Sequence, residues 1–284
     1  MKFRIVKIVS LIMLLVFVVS SLSACGSSKK ENNRLNEIKE RGYITVVMEP
    51  YFAPNEFIDS SKSGDDQYVG SDVEFAKYIA NKLGVDLQIV PLEFGAVLSS
   101  IVEGKYDLAI SALAYTPERA ENMELSKGYY FSDEDEGFGL VIREADKDKI
   151  KSIDDLADKI VMAQSGSIQE SLINQNIEKY AEFKRLSSTP DCYMALSEGK
   201  SDCVCCAISH VELYIEANPD CGLYVMPNVK FETPEEFDGT RCGAPKGEKD
   251  LIEFVNGCID ELLASGQYAA WVEEYKEYAA KLGV

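Results

Sequence analysis

Histidine is almost absent from this chain: 284 residues carry one, His210, on a stretch read as a surface helix. No G-x-S-x-G occurs, and no nucleophile has a recognisable base partner, so nucleophilic catalysis lacks its parts. A zinc site on the Cys203-Val204-Cys205-Cys206 run is the sharper alternative to plain packing there, but adjacent strand residues point to opposite faces, and no metal is expected. Basic residues are scarce, 29 against 48 acidic, for a net charge of −19. Such a surface repels nucleic acid and disfavours tight docking on anionic lipid. Beyond the N-terminus no run is apolar enough to cross a bilayer, so the body reads as soluble.

What stands at the start is an export signal. Lys2, Arg4 and Lys7 precede an apolar run, Ile8 to Val19, followed by Leu22-Ser23-Ala24-Cys25. The run is shorter than the roughly 20 residues a bilayer needs, so residues 1–24 read as a secretory leader rather than a spanning helix. A cysteine directly after small residues resembles the bacterial lipobox. That resemblance implies lipid transfer to Cys25, cleavage before it, and a lipidated tether over 25–33; an uncleaved anchor is the alternative. Without the leader, 26 basic residues face 48 acidic ones, a net charge of −22. Asp133-Glu134-Asp135-Glu136 reads as an exposed linker rather than a metal cage.

Cysteine, by contrast, is plentiful. After Cys25 there remain Cys192, Cys203, Cys205, Cys206, Cys221, Cys242 and Cys258. Seven is odd, so at least one thiol stays unpaired or bonds between chains. Cys203, Cys205 and Cys206 fall on what reads as a buried strand, where adjacent side chains point to opposite faces and free cysteine acts as a small hydrophobe.

The block from Gly70 to Arg119 carries the most functional information. Ser71 and Glu74 fit a capping box, Val73, Ala76, Ile79, Ala80 and Leu83 recur at helical spacing, and Gly84 stops the helix. Val85, Leu87 and Ile89 alternate as a strand does. Ala96 to Val102 reads as a second helix closed by Gly104, and Leu108 to Ser111 as the next strand. Thr116-Pro117 then supplies an N-cap and a proline at the first helical position. Arg119 therefore sits just past a strand end, where open α/β sheets bind small ligands. Its planar fork of donors matches a carboxylate; an ordinary surface arginine is the plainer alternative.

The same alternation runs through the rest. Helices are expected at Arg34–Arg41, Ser152–Ala157, from Ser167 with a Ser167/Glu170 capping box, and at Thr189–Ser197 and His210–Ala217. Two more follow, over Asp250–Ala264 and Tyr268–Leu282. Strands are expected at Tyr43–Met48, Phe138–Ile142, Ile160–Ala163, Asp202–Ala207 and Leu223–Met226. Strands alternating with helices imply right-handed crossovers and largely parallel sheets, here in two series.

With both series laid out, the chain resembles the extracellular solute-binding proteins of ABC importers, family 3, the polar amino acid group. The matching motifs are G-S-D-V-E-F-A from Gly70, E-G-K-Y-D-L-A-I-S from Glu103, T-P-E-R from Thr116 and S-K-G-Y-Y-F-S from Ser126. Later come Q-S-G-S-I-Q-E from Gln164 and E-G-K-S-D-C-V from Glu198. The resemblance implies a two-lobed, periplasmic-binding-protein-like (type II) α/β fold in which each lobe is a mostly parallel sheet flanked by helices. Lobe 1 would comprise 34–132 and 233–284, lobe 2 would be 133–232, and a two-segment hinge would let the lobes close on a solute. It further implies permease and ATPase partners, no cofactor, a monomer, and lipid anchoring at the outer face of a Gram-positive cell membrane.

The resemblance also supplies expected ligand contacts. Arg119 falls where the family binds a carboxylate, and Ser165, Gly166, Ser167 and Ile168 where the opposite lobe offers helix N-terminal amides to an anion. Phe52 and Phe94 match aromatic walls, Glu49 an acid for basic side chains, and Ser111 and Ala112 the adjoining strand end. Two positions depart: Ala114 stands where the family has Ser or Thr, and Ala207 where it has Asp, both normally partners of the ligand's α-ammonium. Losing such a bond costs ~2–3 kcal/mol if nothing replaces it. Either another acceptor holds the ammonium, Glu49 foremost or backbone carbonyls near Ala112, or the solute has a carboxylate and no standard amino group. A cyclohexadienyl dehydratase-like enzyme and a sensory ligand-binding module remain as alternatives to a transport protein.

Overall fold

Residues 33–131, 137–234 and 237–284 are described by this computed structural model. The expected leader, the lipidation site Cys25, all but the last residue of the tether and the acidic run 133–136 lie outside the described residues.

The first sheet is laid down mostly by the N-terminal series. Helix α1 (Arg34–Arg41) leads into β1 (Tyr43–Met48), and a small antiparallel sheet follows from β2 (Tyr51–Phe52), β3 (Glu56–Ile58) and β4 (Tyr68–Val69). Then come α2 (Ser71–Leu83), β5 (Asp86–Pro91), α3 (Phe94–Val102), β6 (Leu108–Ala114), α4 (Pro117–Asn122) and β7 (Met123–Leu125). β1 lies parallel to both β5 and β6, in register Val46 to Leu108. The second sheet uses β8 (Phe138–Arg143), β9 (Ile160–Gln164), α5 (Ile168–Asn176), β10 (Glu182–Leu186), α6 (Thr189–Ser197), β11 (Cys203–Ala207), α7 (Ile208–Ala217) and β12 (Leu223–Phe231). The chain then returns: β13 (Thr240–Pro245) joins the first sheet between β6 and β7, and α8 (Lys249–Ser265) and α9 (Gln267–Leu282) pack on that side. The orders are β5-β1-β6-β13-β7 and β10-β9-β11-β8-β12. In each sheet three strands pair in parallel, one reversed strand (β13 or β8) pairs antiparallel beside them, and the edge strand beyond it (β7 or β12) runs with the first three again.

Both faces of each sheet are covered, which explains the near-continuous apolar strands. On β11, Cys203 and Cys205 enter one core cluster while Val204 and Cys206 enter the other, as the period of a strand demands. Burial pushes the thiol of each of these cysteines up, so they stay protonated and act as packing groups. Each buried aliphatic side chain contributes roughly 1.5–3 kcal/mol.

Several local expectations are corrected. Ser71 and Glu74 do not cap α2: the N-cap is Gly70, and Ser71 Oγ instead meets the Tyr268 hydroxyl at 3.0 Å. Gly70 has φ +132°, and a Cβ there would lie 2.1 Å from the Asn55 carbonyl oxygen, so only glycine lets the helix start this close to the β2–β3 turn. The segment after Ser152 is a single 3-10 turn, Ile153–Leu156, though its capping box with Asp155 is present. The short strands β2, β3, β4 and β7, with β10 and β13, were not anticipated; they are too short, polar or interrupted to show a period.

Candidate functional site

A cavity of about 170 Å³ opens between the two sheets, a size suited to a small organic solute. Ten of the twelve expected ligand residues line it: Glu49, Phe52, Phe94, Ser111, Ala112 and Ala114 from the first lobe, with Arg119, and Ser167, Ile168 and Ala207 from the second. Ser165 and Gly166 do not.

Arg119 is placed by local sequence. Thr116 Oγ1 accepts the Arg119 N–H at 3.1 Å and Pro117 opens the turn, so the side chain projects back over the end of β6. Its Nη1 donates to the Ala114 carbonyl (2.7 Å) and its Nη2 to the Gly166 carbonyl across the cleft (3.0 Å). The Phe94 ring lies under the guanidinium, 5.4 Å from its carbon to the ring centroid. Arg119 is 7% exposed and, among the described residues, is the only lysine or arginine on the cavity wall. Burial lowers its pKa to about 10, with Glu118 only partly offsetting, and no carboxylate of the described residues pairs with it. A guanidinium has five N–H donors, so three remain for a ligand.

The opposing amides are less open than expected. The Ser165 N–H donates to Leu186 O (2.9 Å), the Gly166 N–H to Glu170 Oε2 (2.9 Å) and the Ser167 N–H to Gln164 O (3.3 Å). Glu170 thus reaches Gly166 rather than completing a capping box with Ser167, whose Oγ accepts the Glu170 N–H. What remains at the head of α5 are the first-turn amides of Ile168 and Gln169, both lining residues.

Behind the first-lobe wall lies a polar cluster that the sequence did not disclose. Asp72, fully buried, accepts Tyr268 Oη (2.6 Å), Tyr129 Oη (2.9 Å) and the Ala112 N–H (2.8 Å). That last bond holds Ala112 at φ +45°, a left-handed conformation costly for a residue with a Cβ, directly on the cavity wall. Ser111 Oγ accepts the Glu49 N–H (3.0 Å) and donates to Glu56 Oε1 (2.8 Å). Burial, then the neighbouring Asp72 carboxylate, pushes Glu56 well above the usual carboxylate range. Its Oε2 has no donor, and as a protonated oxygen beside Asp72 it can give its hydrogen to that carboxylate. Glu49 is 1% exposed, and burial raises its pKa to about 8 against a hydrogen bond from Gln164; Asp191 and Glu93 add to the rise.

His210, read as a surface residue, turns out to be part of the wall. Its ring stacks on Phe52 at 3.8 Å between centroids, and its Nε2 lies 3.1 Å from Asn55 Oδ1. Burial of the ring lowers its pKa to about 3, with Lys276 adding, so the imidazole is neutral. Among the described residues no cluster of His, Cys, Asp or Glu could hold a metal ion, and no helix is long and apolar enough to cross a membrane.

Two α/β lobes sharing one charged cavity define a two-lobed binding fold of the periplasmic type. The chain belongs to the bacterial extracellular solute-binding proteins, family 3, whose profile matches residues 44–278. It is 26% identical to a probable histidine-binding protein of Campylobacter jejuni, over 93% of this chain and 96% of the relative. It is 27% identical to the arginine-binding extracellular protein ArtP of Bacillus subtilis, over 90% and 93%. Among solved structures, it is similar to the amino acid ABC transporter substrate-binding protein AbpA of Streptococcus pneumoniae bound to L-arginine. There the TM-score is 0.75 and the identity 32%, covering 85% of this chain and 98% of that one.

Proposed function

We propose that this protein is the lipid-anchored substrate-binding component of an ABC importer, capturing a small carboxylate-bearing solute, an amino acid or a derivative of one. In this reading 34–132 with 233–284 forms one lobe and 133–232 the other. The lobes close about the two connecting segments, Cys25 carries the lipid, and permease and ATPase subunits receive the solute. The observation that supports it most is the buried guanidinium of Arg119, held on the cavity wall with no carboxylate of the described residues paired to it. An uncompensated buried charge is costly, and an anionic ligand removes that cost.

The experiment is a thermal-shift screen of amino acids, amines and carboxylates, followed by calorimetry on the hits, since a ligand that binds only the folded protein raises its apparent stability. Arg119→Ala should abolish binding with the fold intact; unchanged affinity would refute the role. A dehydratase-like activity is the second reading, because a cavity carboxyl with a raised pKa, such as Glu49, is a common general acid or base. Incubation with chorismate-pathway acids separates the two: turnover would favour the enzyme, and binding without turnover the carrier.

A further inference from the structure

A second cavity of about 230 Å³ adjoins the first and shares four wall residues with it, Asn55, Tyr130, Ser209 and His210. Arg119 lines only the first. Tyr130 belongs to the core of the first lobe, its ring 5.8 Å from that of Tyr268. His210 is different: it leaves α7 and crosses to the other lobe, stacked on Phe52 and bonded to Asn55. Asn55 Nδ2 donates to the Tyr268 hydroxyl (3.2 Å), so Asn55 Oδ1 is the acceptor and His210 Nε2 carries the hydrogen. Nδ1 of a neutral imidazole is then an acceptor, and it faces the Ser209 hydroxyl at 3.4 Å. Both ring nitrogens are thus taken up by the protein, and one ring face by Phe52. His210 offers a solute no free polar atom; it is a partition.

The partition stands on a firm base. The Asn55 carbonyl accepts the Asp72 N–H (2.8 Å), and the Asn55 N–H donates to the Phe52 carbonyl (3.0 Å). Swinging the imidazole aside gives up the stack and both of its hydrogen bonds at once. Behind it, Leu213 and Val272 line the second cavity with three charged side chains, Glu212 and Glu216 from α7 and Lys276 from α9. Joined to the first cavity, this space more than doubles the room. A solute with its carboxylate on Arg119 that reached past His210 would bring its far end to two acids one helical turn apart, a setting for an ammonium. A dipeptide with free ends has that form.

Resting on the carboxylate-binding role of Arg119, we propose that His210 sets the length limit of the solute, closing the cavity around a single amino acid and shutting dipeptides out of the space behind it. The test is calorimetry at neutral pH on the standard amino acids, then on the glycyl dipeptide of the tightest binder, which keeps the same C-terminal carboxylate. That amino acid should lose its binding in Arg119→Ala and should outbind its glycyl dipeptide by at least about tenfold. In His210→Ala the Kd of the dipeptide itself should fall by at least about tenfold, and adding Arg119→Ala should remove the gain. A truncation that merely loosens the fold does not tighten a ligand. His210→Ser, which keeps a donor for Asn55, carries the same test if the alanine variant fails to fold. A dipeptide that binds the parent within about tenfold of the amino acid, or that gains less than about tenfold in the folded variants, would overturn the proposal and leave the carrier reading standing. A parent protein that binds none of the amino acids, or binds one equally well after Arg119→Ala, fails that reading and this inference with it.

Discussion

Phe52 and His210 face each other as parallel plates, 3.8 Å apart and 18° from coplanar, one carried by the first lobe and one by the second. With the His210 to Asn55 hydrogen bond, this stack joins the lobes at the rim of the cavity. Its imidazole is neutral when buried, with a pKa near 3 against an ordinary 6.5. A basic group depressed on burial stabilises the packed state above its free pKa, and that contribution fades as pH falls. Titrating thermal stability from pH 8 to 5 should therefore show a loss below about 6.5. His210→Gln should flatten it; an unchanged slope would assign the loss elsewhere.

Glu49 should act with the opposite sign. Its folded pKa, about 8, lies above the ordinary value of 4.5, so its contribution is present in full below that value and fades as pH rises towards 8. Ligand-free Glu49→Gln should gain stability relative to the parent between pH 5 and pH 8, as measured by urea unfolding at both.

The Asp72 cluster should dominate the stability of the first lobe's wall. Tyr268→Phe removes one hydroxyl and should cost about 1–2 kcal/mol. Asp72→Ala strips the Ala112 amide and both tyrosine hydroxyls of their acceptor and should cost about 3 kcal/mol or more in the same urea experiment.

At Gly70 a methyl group would sit 2.1 Å from a backbone oxygen, at a φ that other residues resist. Gly70→Ala should lower stability by about 3 kcal/mol or prevent folding, read by circular dichroism. Gly84→Ala, where a Cβ meets nothing within 4 Å, should cost about 1 kcal/mol.

Much of the architecture was legible because α/β proteins repeat themselves: helix stops at Gly84 and Gly104, the Thr116-Pro117 start and the apolar runs of β1, β6 and β11 all signal locally. Arg119 was legible for the same reason, being fixed by a cap three residues before it. The misreadings come from tertiary competition. Ser71 has the right spacing for a cap, yet Tyr268, far away in sequence, takes its hydroxyl. The amides of Ser165, Gly166 and Ser167 have the right position for an anion, yet a strand partner, a glutamate and a turn already occupy them. His210 looked exposed because nothing near it in sequence announces Phe52. Glu56 and Asp72 could not be joined from sequence, since β3 and α2 meet only in the folded chain.

The described cysteines, Cys192, Cys203, Cys205, Cys206, Cys221, Cys242 and Cys258, all stand unbridged, and Cys221 alone escapes full burial. The described body thus holds no disulfide and should mature equally well with or without oxygen. For anyone wishing to watch the cleft shut, a fluorophore placed on an introduced surface thiol would have, among the described residues, one natural competitor to remove, Cys221, rather than seven.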